Sequence, residues 1–198
     1  MTLATSSPRA LLMLALCGLL GIFATSAQAA VVQHFTLAEL TAKADIVVHA
    51  KVSSESAAWD QGLTKIWTTY GLEVKETIKG AFPAAAQAHA RGGSVGRKSQ
   101  QVAGEATLVK GSEYLLFLWK DSEGRQRCVG MAQGAFLVTT KGQETTAKNS
   151  FRGLKLVNVN GKALAEKVGP ISGKLSDLIT QIKALLPAPA ADDKKGGE

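Results

Sequence analysis

Alternation of apolar and polar positions dominates the middle of the chain. Ile46, Val48, Ala50 and Val52 are apolar, with His49 and Lys51 between them, which is the two-residue period of a strand with one buried face. A longer run repeats it. Ile66, Thr68, Tyr70, Leu72, Val74 and Ile78 share one face, Trp67, Thr69, Glu73 and Lys75 the other, until Lys79-Gly80 ends the strand. Trp59-Asp-Gln-Gly-Leu63 between the two reads as a turn. A modest strand follows from Ala85 to Ala90. Glu113-Tyr-Leu-Leu-Phe-Leu-Trp119 is apolar on both faces, which predicts a central strand with Trp119 in the core. Asp121-Ser-Glu-Gly124 turns the chain, and Arg127 to Val138 returns as a strand. Gly130 and Gly134 within it predict bulges or a bend of the kind that closes a small barrel. Asn160-Gly161, between Leu154–Val159 and Lys162–Leu164, is a hairpin signal because both residues tolerate positive φ.

Helical spacing occurs only near the two ends of this β pattern. Thr36-Leu-Ala-Glu39 is a capping box, a hydroxyl at the N-cap and a carboxylate three residues on, and predicts a short helix over 37–43. Leu175, Leu178, Ile179, Ile182, Leu185 and Leu186 form an amphipathic helix stopped by Pro187. The chain therefore reads as a mainly β domain with one helix at each end.

The first residues change the setting. Arg9 precedes an apolar run from Ala10 to Phe23, and Ala27-Gln28-Ala29 fits the small-x-small cleavage rule, so residues 1–30 read as a secretory signal peptide. The apolar run is shorter than the roughly 20 residues a bilayer span needs, so the mature chain is expected to be exported without a membrane span, to the periplasm or outside the cell. Cleavage would leave about 168 of the 198 residues and lower the net charge from +7 to +6 by removing Arg9. That surplus favours solubility and permits attraction to anionic sugars, lipopolysaccharide or nucleic acid. The division expected is a domain over 31–165, a packed C-terminal helix over 166–186 and a disordered tail over 187–198, where no large apolar side chain remains. Cys128 would be the one cysteine left after cleavage, so no intramolecular disulfide can form, and its apolar flanks predict a buried thiol.

The order of these marks resembles the netrin-like module, the OB-fold barrel found in tissue inhibitors of metalloproteinases and in the tails of netrins and complement proteins. The resemblance covers roughly residues 36–138. It rests on "ADIVVHAKV", the long strand "TKIWTTYGLEVKETIKG", the glycine-rich loop at Gly92-Gly93, "KGSEYLLFLW" and the returning "VGMAQGAFLV". The outline is similar to that of uncharacterised bacterial secreted proteins. It implies a small antiparallel OB-like β-barrel, with ligands on one strand face and on the loop between the first two strands. The animal inhibitors chelate the protease zinc through an N-terminal cysteine and are tied by disulfides. A mature chain beginning near Ala30 or Val31 has neither.

Candidate chemistry is sparse. "HARGGSVGRKS", residues 89–99, looks like a phosphate loop, but Gly92 and Gly96 enclose one residue too few. Arg97 and Lys98 stand where lysine and a hydroxyl residue belong, and no helix start follows, so no nucleotide is expected. Its glycines read as a sharp turn at the barrel rim, with Arg91, Arg97 and Lys98 solvated there or holding an anionic ligand. His34, His49 and His89 lack metal-ligand spacing, Asp45 reads as a partner for backbone amides, and no triad or paired acid cluster is present, so neither metal, cofactor nor catalytic residue is expected. Trp67 falls on the polar side of its strand with Trp59 in the preceding turn; a C-terminal helix lying over Trp67 would bury it. The expectation is a non-enzymatic binding module with a protein partner or anionic polymer, through Trp59, Trp67, Arg91, Arg97 and Lys98. The alternatives are an inhibitor or chaperone of a co-secreted protease, and an enzyme of unrecognised type.

Overall fold

The computed structural model describes residues 29–164, 166 and 168–187. Most of the expected signal peptide and of the expected tail falls outside the described residues. A short strand, β1 (Ala30–Gln33), leads to helix α1 (Leu37–Lys43). The box that the sequence predicts is formed: the Thr36 hydroxyl accepts from the Glu39 amide (3.2 Å), and the Glu39 carboxylate accepts from the Thr36 amide (2.8 Å). Two long strands follow, β2 (Ile46–Trp59) and β3 (Ile66–Lys79). Next come β4 (Gln87–Arg91), the small hairpin β5 (Gly93–Val95) and β6 (Lys98–Gln100), and β7 (Glu113–Lys120). The rest is β8 (Gln126–Cys128), a 3-10 turn over Met131–Gly134, β9 (Ala135–Lys141), β10 (Glu144–Lys148), β11 (Leu154–Val157), β12 (Ser172–Lys174) and helix α2 (Leu175–Leu185).

The main sheet runs β12-β10-β9-β7-β2-β3-β4, with β8 also beside β7. β7 has both faces buried, as its sequence predicts, because a separate core lies on each side. Tyr114, Leu116 and Leu118 meet Ile46, Val48, Ala50, Val52, Tyr70 and Leu72 inside the curl of the sheet. Leu115 and Phe117 point the other way, to Val47, Phe136, Leu40 of α1 and Leu178 and Ile182 of α2. Each large side chain fully buried there contributes about 1.5–3 kcal/mol relative to exposure. Asp45 leaves α1 for β2 with its carboxylate accepting the Lys120 amide (2.7 Å), which ties this junction to the end of β7.

The fold is mainly β with a helix near each end, and it departs from the sequence reading in instructive places. The sheet is not closed into a barrel: β4 ends the hydrogen-bonded path and has no ladder to β8. β2 continues to Trp59 instead of turning there, and β3 carries bulges, so a single period does not hold along it. Ile78 joins the helix-side core because the extra residue at Lys75 flips the faces that follow, while Val74, still opposite the buried Ala50, is exposed where that bulge begins. The returning strand is interrupted: β8 and β9 both pair with β7, and the 3-10 turn bulges out between them after Gly130. The Asn160-Gly161 turn forms, with Gly161 at φ 74, but its second arm is one bridge, Val157 to Ala163. β11 pairs instead with β1 in parallel. The C-terminal helix starts only at Leu175, after β12 has joined the main sheet.

Candidate functional site

The tip of the β2–β3 hairpin is fixed by one carboxylate. Asp60 accepts the amides of Thr64 (2.7 Å) and Lys65 (3.0 Å) and the Thr64 hydroxyl (3.0 Å). Those bonds hold its carboxyl below its ordinary pKa, the Lys65 amide contributing most. Leu63 is forced to φ 52 while 71 % of its surface faces water. A left-handed backbone costs a non-glycine residue roughly 1 kcal/mol or more.

Beside this tip β5 crosses the ends of β2 and β3, and the glycines explain how. A Cβ on Gly93 would sit 2.4 Å from Thr68 Oγ1 and 3.1 Å from Ala57, and φ at Gly93 is 126. The Gly92 amide donates to the Ile66 carbonyl (2.7 Å), and the Gly92 carbonyl accepts from Thr68 (2.7 Å). Gln100 clamps the far side: its Oε1 accepts the Ile66 amide (2.7 Å) and its Nε2 donates to Thr64 (2.9 Å). The apparent phosphate loop is thus a hairpin bracing two strand ends. Gly96 takes the first place of its two-residue turn at φ 58.

Four of the five candidate contacts gather around this brace on one ladder or its adjoining hairpin. Trp67 and Arg91 are cross-strand partners on β3 and β4; Arg97 and Lys98 are exposed at the turn of the glycine hairpin. Trp59 pairs with Ile66 one ladder step from Trp67, so it lies at the same strand end but on the opposite face. Trp67 is not covered by α2, which packs on the helix-side core. The Arg125 guanidinium covers it instead, 3.8 Å from the ring centroid, with Arg127 at 5.2 Å. Arg127 also reaches Trp119 at 5.8 Å, and Trp119 is 37 % exposed instead of lying in the core. Arg127 thus links Trp67 and Trp119, whereas Trp59 stands on the other face of the same strand end.

The two arginines are held by carboxylates. Asp121 binds Arg125 at 2.8 Å and accepts its amide, and Glu123 binds it from the other side. Hydrogen bonds keep Asp121 ionised at lower pH than usual, against the opposing effect of its burial. Glu105 meets Arg127 at 3.2 Å with only 5 % of its side chain exposed, and that burial pushes its carboxyl pKa up even with the guanidinium present. His89, from β4, lies here too, its pKa pushed down by burial. Three buried atoms of this seam have no protein partner: His89 Nδ1, Gln126 Oε1 and Arg127 Nε. The sequence reading missed Arg125, Arg127 and Leu63. Their alternation put Arg125 and Arg127 on one face, but only the fold brings β8 against β4.

A second polar region lies on the helix side. An open groove of about 900 Å³ runs between the sheet and α2. Glu113 at its floor accepts from Lys75 and sits 3.1 Å from His49 Nε2; those bonds, the Lys75 one first, hold its carboxyl below the usual range. Lys183 of α2 pairs with Glu76 at the rim (2.7 Å). Among the described residues no three His, Cys, Asp or Glu side chains are grouped to hold a metal. Cys128 is buried and its thiol pKa is pushed up to about 12, so the nucleophilic thiolate is not formed at neutral pH. No helix among the described residues is long and apolar enough to cross a membrane. The chain matches no family model, and no curated protein and no solved structure matches it.

Proposed function

We propose that this is an exported, non-enzymatic binding module whose partner is an anionic polymer, engaged through Trp59, Trp67, Arg91, Arg97 and Lys98. One observation carries the reading. Arg125 and Arg127, nearest to Trp67, are neutralised by Asp121, Glu123 and Glu105, whereas Arg97 and Lys98 make no ion pair among the described residues, and Arg91, which acts on Glu105 through its amide and at longer range through its charge, makes none either. Exposed cations outside such close pairs favour phosphate, sulfate or carboxylate groups of a polymer, and release its counterions on binding. The resemblance to the netrin-like module, which places ligands on the corresponding strand face and first loop, supports the same region.

The test is binding of inorganic polyphosphate to the parent and to Arg91→Ala/Arg97→Ala/Lys98→Ala across a salt series. The parent affinity should fall linearly with the logarithm of salt, and the triple variant should bind more weakly with a slope shallower by about two to three. Equal slopes would move the charge contact elsewhere on the molecule. Salt-independent binding, or none, would remove the polyanion reading.

A further inference from the structure

We infer that the hairpin tip seats the protein on the surface of an anionic phospholipid bilayer, with Leu63 entering the headgroup layer and Lys65, Arg97 and Lys98 meeting its phosphates. This rests on the polyanion reading above and narrows the partner to one that offers apolar depth as well as charge.

Three observations on the fold converge. Leu63 stands at the tip with 71 % of its surface in water, in a backbone conformation that leucine adopts at a cost; its amide donates to the Asp60 carbonyl (3.0 Å), and the Asp60 carboxylate fixes the next two residues, Thr64 and Lys65. A side chain so exposed recovers nothing for that strain within the fold, and asparagine or glycine would fit the turn without it. Next, Trp59 and Trp67, both half-buried, stand at the strand ends next to this tip, the residue type that settles between water and acyl chain. Third, Arg97 and Lys98 are exposed on the adjoining hairpin and, like Lys65, form no ion pair among the described residues, although the charge of Lys65 is partly offset by Asp60 and Glu123 nearby. Cations alone would serve a soluble polymer. An apolar tip beside the exposed cations of the adjoining hairpin is an arrangement that binds a charged interface, where buried apolar area and attraction to anionic headgroups add.

Tryptophan fluorescence with vesicles carrying bromine on the acyl chains tests this directly. Because the apolar run from Ala10 to Phe23 contains no tryptophan and two of the three tryptophans stand next to the tip, the signal reports on the domain and not on that run. Vesicles of equal parts phosphatidylcholine and phosphatidylglycerol should shift the emission to the blue and quench it; vesicles of phosphatidylcholine alone should not. Leu63→Asn suits a left-handed turn, so its melting temperature should equal or exceed that of the parent, while its affinity for the mixed vesicles falls about tenfold. Arg97→Ala/Lys98→Ala should lower that affinity about thirtyfold. Equal affinity of Leu63→Asn and the parent would overturn the inference, as would an absence of quenching by the mixed vesicles. If polyphosphate still binds in a salt-dependent way while vesicles do not, the bilayer falls and the polymer reading stands. If neither binds, both fall.

Discussion

The seam around Trp67 and the groove beside α2 are each built on a glutamate held by nitrogen-bearing groups, Glu105 by Arg127 and the Arg91 amide, Glu113 by Lys75 and His49, and they differ in their access to water. Glu105 in the seam has 5 % of its side chain exposed and its pKa pushed up; Glu113 in the groove has 32 % exposed and its pKa pulled down. The pairing chemistry is similar, so burial decides the sign. The seam joins β8 and the turn before it to the β3–β4 pair where no ladder does, by stacking Arg125 and Arg127 on Trp67 of β3 and anchoring both to carboxylates. It is a closure made of side chains. The groove pair adds little to the fold, because exposed ion pairs are screened and cost side-chain freedom. Charge available to a partner therefore lies in neither cluster but in the unpaired cations next to the seam.

The largest effect should come from breaking the closure. Arg127→Ala leaves the buried Glu105 without its cation and strips a neighbour from two tryptophan rings, and should cost about 3–5 kcal/mol in urea unfolding. A loss under about 1 kcal/mol, the range of an exposed pair, would mean that the seam is no better closed than the groove.

How much of this was legible in the sequence follows from what alternation encodes. It identified the inner faces of β2 and of the first half of β3, the doubly buried β7 and the capped helix at Thr36, because each depends on neighbours within a few residues. It failed at Ile78, where a bulge resets the faces, at Val74, exposed although opposite the buried Ala50, and at Trp119, whose strand is central while its own end is not. A period of two says which side a residue takes, never which strand lies beyond it. For that reason Trp67 and Arg91 could be suspected but their covering by Arg125 could not. Leu63 looked like an ordinary turn residue because its left-handed backbone is imposed by Asp60 and not announced by a glycine at that position.

A smaller effect sharpens the contrast through pH. The folded-state pKa of Glu113 lies below its ordinary 4.5, so its contribution to stability is present above 4.5 and is lost as pH falls through the folded value. The difference between the parent and Glu113→Gln should be under about 1 kcal/mol at neutral pH and vanish on acidification. Glu105 has the opposite sign: its folded pKa lies above 4.5, so its stabilising effect is full below 4.5 and declines as pH rises through the folded value. Relative to Glu105→Gln, the parent should gain stability on acidification. Urea midpoints measured from neutral to acid pH for both variants check this, and parallel curves would remove the distinction.

The most direct measurement is a nuclear magnetic resonance titration with inorganic polyphosphate, which asks where an anion goes. The three indole N–H signals and the backbone signals of Arg91, Arg97 and Lys98 should shift together as polyphosphate is added, while His49, Lys75 and Glu113 in the groove stay still. Shifts confined to the groove, with the indole signals unmoved, would contradict the account and transfer the binding surface to the other side of the molecule.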